Sequence, residues 1–480
     1  MFEVKINARG IDMFVQLVGN EAVEHVKAAA EATRERLGPR AVWNFNSTPV
    51  GGGVAEMLRS LLCYARGLGV QVRWGVVEGD APFFRVTKRL HNALHDDPGD
   101  GSPLGPEQLE IYERVMRANI ATIDELVRPT DVVVCHDPQT AGLVPHFLRK
   151  GMPVIWRCHI GHEERGVEVD RGWAFLRKYL EDASIAVFSR AAYAPEWMPS
   201  KRTVVLPPNI DPFSAKNQLL PDDAVRAILG EVGLIDDPGQ GQAMFLRQDG
   251  SVGRVDRKVE VLRVGRAPSS DTPLVVQVSR WDRMKDPIGV LQGFARIVQA
   301  EASRGTQLVL AGPSVSGVAD DPEAPRVLEE VERAWRALPE SERQTVHLAQ
   351  LPMQDVEENA AIVNALQRHA AVIVQKSLRE GFGLTVTEAM WKRRPVVASA
   401  VGGIADQIRD DVDGLLVHDP SSREELALAL ERVLSDAAVA RRLGDAAYER
   451  VRQNYLSISS LEHWAELVEL LFAGPTAGAA

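Results

Sequence analysis

The sequence predicts an α/β protein with two doubly wound parallel sheets in series, and three observations carry that expectation. Short apolar runs alternate with helical patterns along both halves of the 480-residue chain, the mark of parallel strands joined by crossover helices. Several runs end in glycine or polar turns that open a helix. Pro207-Pro208 closes the first series, which places a domain boundary near residues 209–217.

In the first half, strands are expected at residues 41–45, 70–74, 131–135, 154–158, 185–188 and 203–206. Gly51-Gly52-Gly53 is read as a turn, followed by an amphipathic helix over 54–67. In the second half strands are expected at 274–278, 307–310, 345–348, 370–374, 395–398 and 414–417. Buried parallel strands are apolar on both faces, which is why these runs are continuous rather than alternating. One stretch departs from this rhythm. Residues 243–251 and 258–262 alternate around Asp249-Gly250 and read as an inserted hairpin at about 240–268. The expected domains are 1–214 and 215–457. A final helix, 458–480, is expected to pack back on the first domain, and its last eight residues are expected to be disordered.

Composition narrows the class. Apolar residues make up 45% and charged residues 25%, ordinary for a globular chain. A net charge of −11 argues against nucleic acid as the main partner. Cys63, Cys135 and Cys158 are far apart and form no metal quartet, so a reducing cytoplasm is the simplest setting. The first residues lack the basic and apolar regions of a secretory signal. No run approaches the roughly 20 apolar residues of a membrane span. No membrane partner is expected, and a homodimer is an open expectation.

The richest segment is Arg379-Glu380-Gly381-Phe382-Gly383-Leu384-Thr385-Val386-Thr387-Glu388. A strand ends here in a glycine turn that opens a helix. The unpaired N–H groups and positive dipole of a helix start suit phosphate, and Gly381 and Gly383 allow close backbone approach. Glu380 and Glu388 bracket the turn, and carboxylates accept from the paired hydroxyls of a ribose or hexose. Diphosphate at the turn and diols at the acids describe a nucleotide-sugar.

Arg280 and Lys285 sit on a loop at the carboxyl edge of the preceding strand, where open sheets bind ligands. Two cations there would neutralise a diphosphate leaving group; the alternative is a surface pair of Lys285 with Asp282 or Asp286. The glycines at 51–53 suit an anion or sugar cradle, or merely a tight turn. Neither a Walker loop nor GxGxxG is present. His159 ends a strand and would meet a sugar hydroxyl or place a carbonyl against the reacting carbon, although a lone histidine is as often structural. Asp137 ends another strand on the same edge and is a candidate for an acceptor hydroxyl. Cys158 lies in an apolar strand where a thiol is inert. No metal is expected: Asp411-Val412-Asp413-Gly414 reads as a turn, and residues 320–323 as a solvated loop. No GxSxG supports a serine hydrolase.

The Glu380-to-Glu388 spacing with Arg280 and Lys285 resembles retaining glycosyltransferases of family 4, which have the GT-B fold: two Rossmann-like doubly wound domains facing a cleft. Longer motifs resemble the trehalose glycosyltransferring synthases and the related trehalose phosphorylases. They are Asn46-Ser47-Thr48-Pro49-Val50-Gly51-Gly52-Gly53, Phe83-Phe84-Arg85-Val86-Thr87-Lys88, Trp156-Arg157-Cys158-His159-Ile160 and Pro207-Pro208-Asn209-Ile210-Asp211-Pro212. The resemblance implies a retaining transfer of glucose from a nucleoside-diphosphate glucose to glucose, giving α,α-trehalose without a cofactor or metal. It implies that Arg280 and Lys285 hold the diphosphate, Glu388 the ribose and Glu380 the hexose. Gly52, Gly53, Gly381, Phe382, Gly383, Leu384 and Thr385 would line the donor, His159 would face the transferring sugar, and Asn46, Asp137 and Glu163 would serve the acceptor. Gly161-His162-Glu163-Glu164 departs from the family pattern, with Glu163 standing for a displaced carboxylate. The rival expectations are a trehalose phosphorylase, transfer to another small acceptor, and a catalytically silent sugar-nucleotide binding protein.

Overall fold

The computed structural model describes residues 1–49, 52–237, 239–298, 305–315 and 323–473. Gly51, the loop at 320–322 and the tail from 474 onward lie outside the described residues. The chain forms two units, Met1–Asn209 with Tyr455–Ala480, and Ile210–Asn454.

The first unit is built on strands β1 (Phe2–Val4), β2 (Val42–Asn46), β3 (Val72–Val76), β4 (Val132–His136), β5 (Val154–Cys158), β6 (Ile185–Phe188) and β7 (Thr203–Val205). Their order is β1-β3-β2-β4-β5-β6-β7. All neighbours are parallel except β1, which runs antiparallel to β3. Side chains alternate across this sheet. Trp43, Phe45, Val133, Cys135, Val154 and Trp156 enter one apolar layer; Val42, Val132, Val134 and Ile155 enter another, shared with Leu467 and Val468 of helix Ser457–Ala473. Both faces are therefore covered, and the strands need to be apolar throughout. The chain leaves β2 to one side for β3 and returns on the other side as β4. The carboxyl ends of β2 and β4 thus flank the crevice where doubly wound sheets bind ligands.

The second unit contains β8 (Met244–Leu246), β9 (Val252–Arg254), β10 (Glu260–Leu262), β11 (Leu274–Val278), β12 (Gln307–Pro313), β13 (Val346–Leu351), β14 (Val372–Gln375), β15 (Val396–Ser399) and β16 (Leu415–Val417). Its main sheet has the order β10-β13-β12-β11-β14-β15-β16, with β10 antiparallel and the rest parallel. Here the reversal falls between β11 and β14, so the loops after Val278 and Gln375 flank the crevice. Among the described residues no helix is long and apolar enough to cross a membrane.

Two local expectations need correction. The Asp249-Gly250 turn does close a hairpin, with Gly250 at φ +84°, but its partners are β8 and β9. The stretch read as the second arm instead becomes β10, the edge of the main sheet, pairing Glu260 with Gln350. The cause is a buried anchor: Glu358 Oε1 accepts from the amides of Asp256 and Arg257, each at 2.8 Å, and Glu358 also pairs with the Arg257 guanidinium. This fixes the chain just before β10. The hairpin is held separately, by Arg247 on Asp355 and the Gln248 amide on Glu357. The second correction concerns Gly52 and Gly53, which form the first residues of helix Gly52–Gly67 rather than a turn before it.

Glu358→Ala leaves two backbone amides and an arginine without their acceptor. Urea denaturation is expected to show a loss of about 2–3 kcal/mol, larger than for Glu357→Ala at the more exposed neighbouring position.

Candidate active site

In the second unit the two loops flanking the crevice are joined by a short ion pair. Lys285 Nζ lies 2.6 Å from Glu380 Oε2, and Ser377 Oγ donates to the same oxygen at 3.2 Å. Both charged groups are largely shielded, with side chains 15% and 12% exposed. Lys285 is therefore paired across the crevice, not with Asp282 or Asp286 as the surface alternative had it. Asp282 instead accepts from the Met284 amide at 2.8 Å and faces Arg280 at 3.4 Å. Asp286 caps helix Pro287–Ile297 through the Gly289 amide at 2.9 Å and takes the ammonium of Lys376. The Lys285 loop is set by Gln277, whose Nε2 reaches the Lys285 carbonyl at 2.9 Å, and by the Leu378 amide on the Met284 carbonyl at 2.7 Å.

The glycine turn then runs into helix Leu384–Trp391, with Gly383 at its start in the left-handed region, φ +84°. Sequence reading missed what holds this turn. Gln407, wholly buried, donates Nε2 to the carbonyl of Phe382 and lies 3.4 Å from that of Gly383 and 3.3 Å from that of Gly403. Its Oε1 accepts from Thr387 Oγ1 at 2.6 Å. Gly403 packs on the turn so closely that a Cβ there would stand 2.7 Å from Phe382 Cα. Phe382 itself is buried, 5% exposed, so its ring is core and only its backbone is available to a ligand. Leu384 and Thr385 are half-buried at the helix start. Glu388 lies one turn further in, 3% exposed, with Lys216 Nζ 3.5 Å from its Oε1. Lys392 donates to the Glu388 carbonyl and to Asn217 Oδ1, both at 3.0 Å. Burial lowers the Lys392 ammonium well below its usual value, against the opposing pull of Glu388.

In the first unit the equivalent edge gathers a chain of polar groups. His136 Nε2 lies 3.1 Å from Asn44 Oδ1, and His136 Nδ1 lies 3.1 Å from His159 Nε2. The two rings stack at 5.4 Å. Burial, with Arg157 nearby, holds both imidazoles well below their usual range, so both are neutral near pH 7. Neutrality fixes the tautomers. With Asn44 Oδ1 as acceptor, His136 donates from Nε2 and accepts at Nδ1; His159 must then donate from Nε2, which leaves its Nδ1 as an acceptor.

Asp137 follows β4 at φ +61° and accepts from the His159 amide at 2.7 Å. Its carboxyl is pushed up to about 7 by burial, against the His159 bond and Arg157. Asp137 therefore orients the His159 backbone from within the same edge. Asn46 is buried and spans Thr48 and Trp74: it donates to the Thr48 carbonyl at 2.7 Å and accepts from the Trp74 indole at 2.8 Å. Glu163 is paired with Arg190. Burial raises the Cys158 thiol well above its usual value. Among the described residues no group of three or more His, Cys, Asp or Glu could hold a metal ion.

Comparison with known proteins shows the family and the fold. Residues 44–195 match the family model described as trehalose synthase, N-terminal domain, and residues 259–450 that of glycosyl transferases group 1. The trehalose synthase of Pyrococcus horikoshii is 34% identical over 474 residues, covering 98% of this chain and 99% of the relative. That of Rubrobacter xylanophilus is 36% identical over 431 residues, 88% of each. In fold the chain resembles an α,α-trehalose-phosphate synthase (UDP-forming) from Burkholderia vietnamiensis, with a TM-score of 0.64, 17% identity, and coverage of 90% of this chain and 98% of that one. The fold is GT-B, and the chain belongs to the trehalose synthase family of glycosyltransferases.

The carboxyl of Asp137 has a clear signature. Its native value of about 7 lies above the roughly 3.9 of an unfolded aspartate. Its contribution to stability is therefore full below pH ~4 and lost as pH rises to about 7. Asp137→Asn keeps the acceptor for His159 and tolerates positive φ. Urea unfolding between about pH 4.5 and about pH 7.5 is expected to show the variant gaining on the parent as pH rises.

Proposed function

We propose that this member of the trehalose synthase family transfers glucose from a nucleoside-diphosphate glucose to free glucose, reversibly and with retention, giving α,α-trehalose. The observation that carries the reading is the Lys285–Glu380 pair at 2.6 Å, beside a glycine-opened helix. Each member has a ligand group for which it can exchange the other. The ammonium takes a diphosphate oxygen, and the carboxylate takes hexose hydroxyls. Arg280, half exposed and loosely paired to Asp282, adds a second cation, and the amides at the start of helix Leu384–Trp391 add a fixed positive field. Glu388 takes the ribose diol.

Retention follows from a front-face exchange. The bond from C1 to the leaving phosphate oxygen breaks, the bond from C1 to the acceptor oxygen forms on the same face, and the departing phosphate takes the acceptor's proton. Charge on the leaving group is met by Lys285, Arg280 and the helix start, so the step calls for no divalent ion and no carboxylate nucleophile. His159 contributes an acceptor nitrogen for a sugar hydroxyl, held in one tautomer through His136 and Asn44, and Asp137 sets its backbone. Asn46 acts by shaping the turn after β2, and Glu163 is available to the acceptor only by leaving Arg190.

The decisive experiment supplies the protein with a panel of nucleoside-diphosphate glucoses and glucose, and identifies the product by mass and by the anomeric couplings of each ring. Formation of α,α-trehalose with release of nucleoside diphosphate is expected. Phosphate-dependent cleavage of trehalose without nucleotide would replace this reading with a phosphorylase, and binding without product would replace it with a silent binder. Lys285→Ala is expected to lower turnover by about 100- to 1,000-fold while the chain stays folded at the assay temperature by circular dichroism, with a loss of stability of about 3 kcal/mol for a shielded pair broken on one side. Gln407→Ala removes the clamp on the glycine turn. It should raise the donor KM several-fold and leave the acceptor KM nearly unchanged.

A further inference from the structure

Arg157 takes no part in the chemistry above, and its surroundings are unusual. It lies on β5 and is completely buried, 0% exposed. Its Nη2 reaches one acceptor, the Leu206 carbonyl, at a long 3.5 Å. Its guanidinium stands 5.5 Å from the ring centre of Trp464 on helix Ser457–Ala473. Among the described residues, Nε and Nη1 have no hydrogen-bond partner.

Among the buried donors that share that condition are four from the end of β6 and from helix Ser457–Ala473: the hydroxyls of Ser189, Ser457 and Ser460, and the indole N–H of Trp464. The three serines are each 3% exposed or less. Their places in the fold bring them to one region. Ser457, Ser460 and Trp464 follow at i, i+3 and i+7 and share one helix face, the face that Trp464 turns to Arg157. Ser189 directly follows β6, two residues beyond Val187, the register partner of Arg157.

A buried cation needs a counter-charge, and a buried donor needs an acceptor. Burial lowers Arg157 only to about 10, so it stays charged at neutral pH. The carboxylate that acts on it is Asp137, whose Oδ1 serves the His159 amide and whose own ionisation is resisted up to about 7. Water would satisfy the donors and leave the charge uncompensated. We propose that Arg157, Ser189, Ser457 and Ser460 form a buried site for a small inorganic anion beneath helix Ser457–Ala473. The chemistry is that of a halide or a small oxyanion: the four groups donate and Arg157 supplies the positive charge, opposed by Asp137 to the extent that this carboxyl ionises.

The test uses thermal unfolding of the full chain in increasing sodium bromide, with sodium methanesulfonate holding ionic strength constant. Arg280→Ala/Lys285→Ala is run in parallel to remove anion binding at the other unit's cations. A saturable rise of about 5 °C is expected in the parent and in that double variant, reduced in Ser457→Ala/Ser460→Ala and absent in Arg157→Met. Anomalous diffraction from bromide-grown crystals of the parent supplies a readout that does not depend on any variant folding. A peak within about 3.5 Å of Arg157 Nη1 is expected. No saturable rise in the double variant, or ordered water and no bromide beside Arg157, would overturn the proposal.

Discussion

Everything in the second unit converges on one electrostatic constraint: a lysine and a glutamate from different loops share a shielded position at the reversal of strand order. Neither β11 nor β14 makes the pair alone. Their side-by-side parallel pairing sends both following loops to the same edge, and Gln277, Ser377 and Asp286 then fix where those loops stand. Such a pair is worth little to stability at a surface. Its value lies in being exchangeable, because a ligand with a negative end and a hydroxylated end can replace both halves at once without leaving either charge unsatisfied.

The first unit shows a different economy. Its edge carries neutral, buried hydrogen-bonding groups in series, Asn44 to His136 to His159, with Asp137 in a backbone conformation few side chains adopt. Strain of that kind persists where surrounding bonds over-determine it, and here the His159 amide is one of those bonds. The two edges thus differ in polarity: a shielded charged pair in the second unit, directed neutral hydrogen bonds in the first.

The strands of both sheets were legible because parallel strands covered on two faces must be apolar throughout, as at 132–135 and 372–374. The glycine turn and its two glutamates were equally legible, since a strand, glycines and a helix start in succession have few other uses. The two antiparallel edge strands were not, unlike the parallel edges at 203–205 and 415–417. Phe2–Val4 and Glu260–Leu262 are three residues long and partly exposed, too short to show a period, and the second was drawn into the neighbouring hairpin. Gln407 was invisible for another reason. It lies 25 and 24 residues from the Phe382 and Gly383 carbonyls it clamps, and nothing about a glutamine in a short helix announces which backbone it will meet. Arg157 was quoted inside a motif, yet its burial depends on a helix that begins 300 residues later in the chain.

The inserted segment between β8 and β10 has one consequence for how this protein can be altered. Helix Val356–His369 begins with three acids in close succession, Asp355, Glu357 and Glu358, which favour the helix start but repel one another. Arg247 and Arg257, both from the insertion, answer that repulsion. The segment therefore acts as a detachable counterweight to the acids, and a shortened chain engineered without it would have to recolour that helix start with neutral residues before it could fold as well.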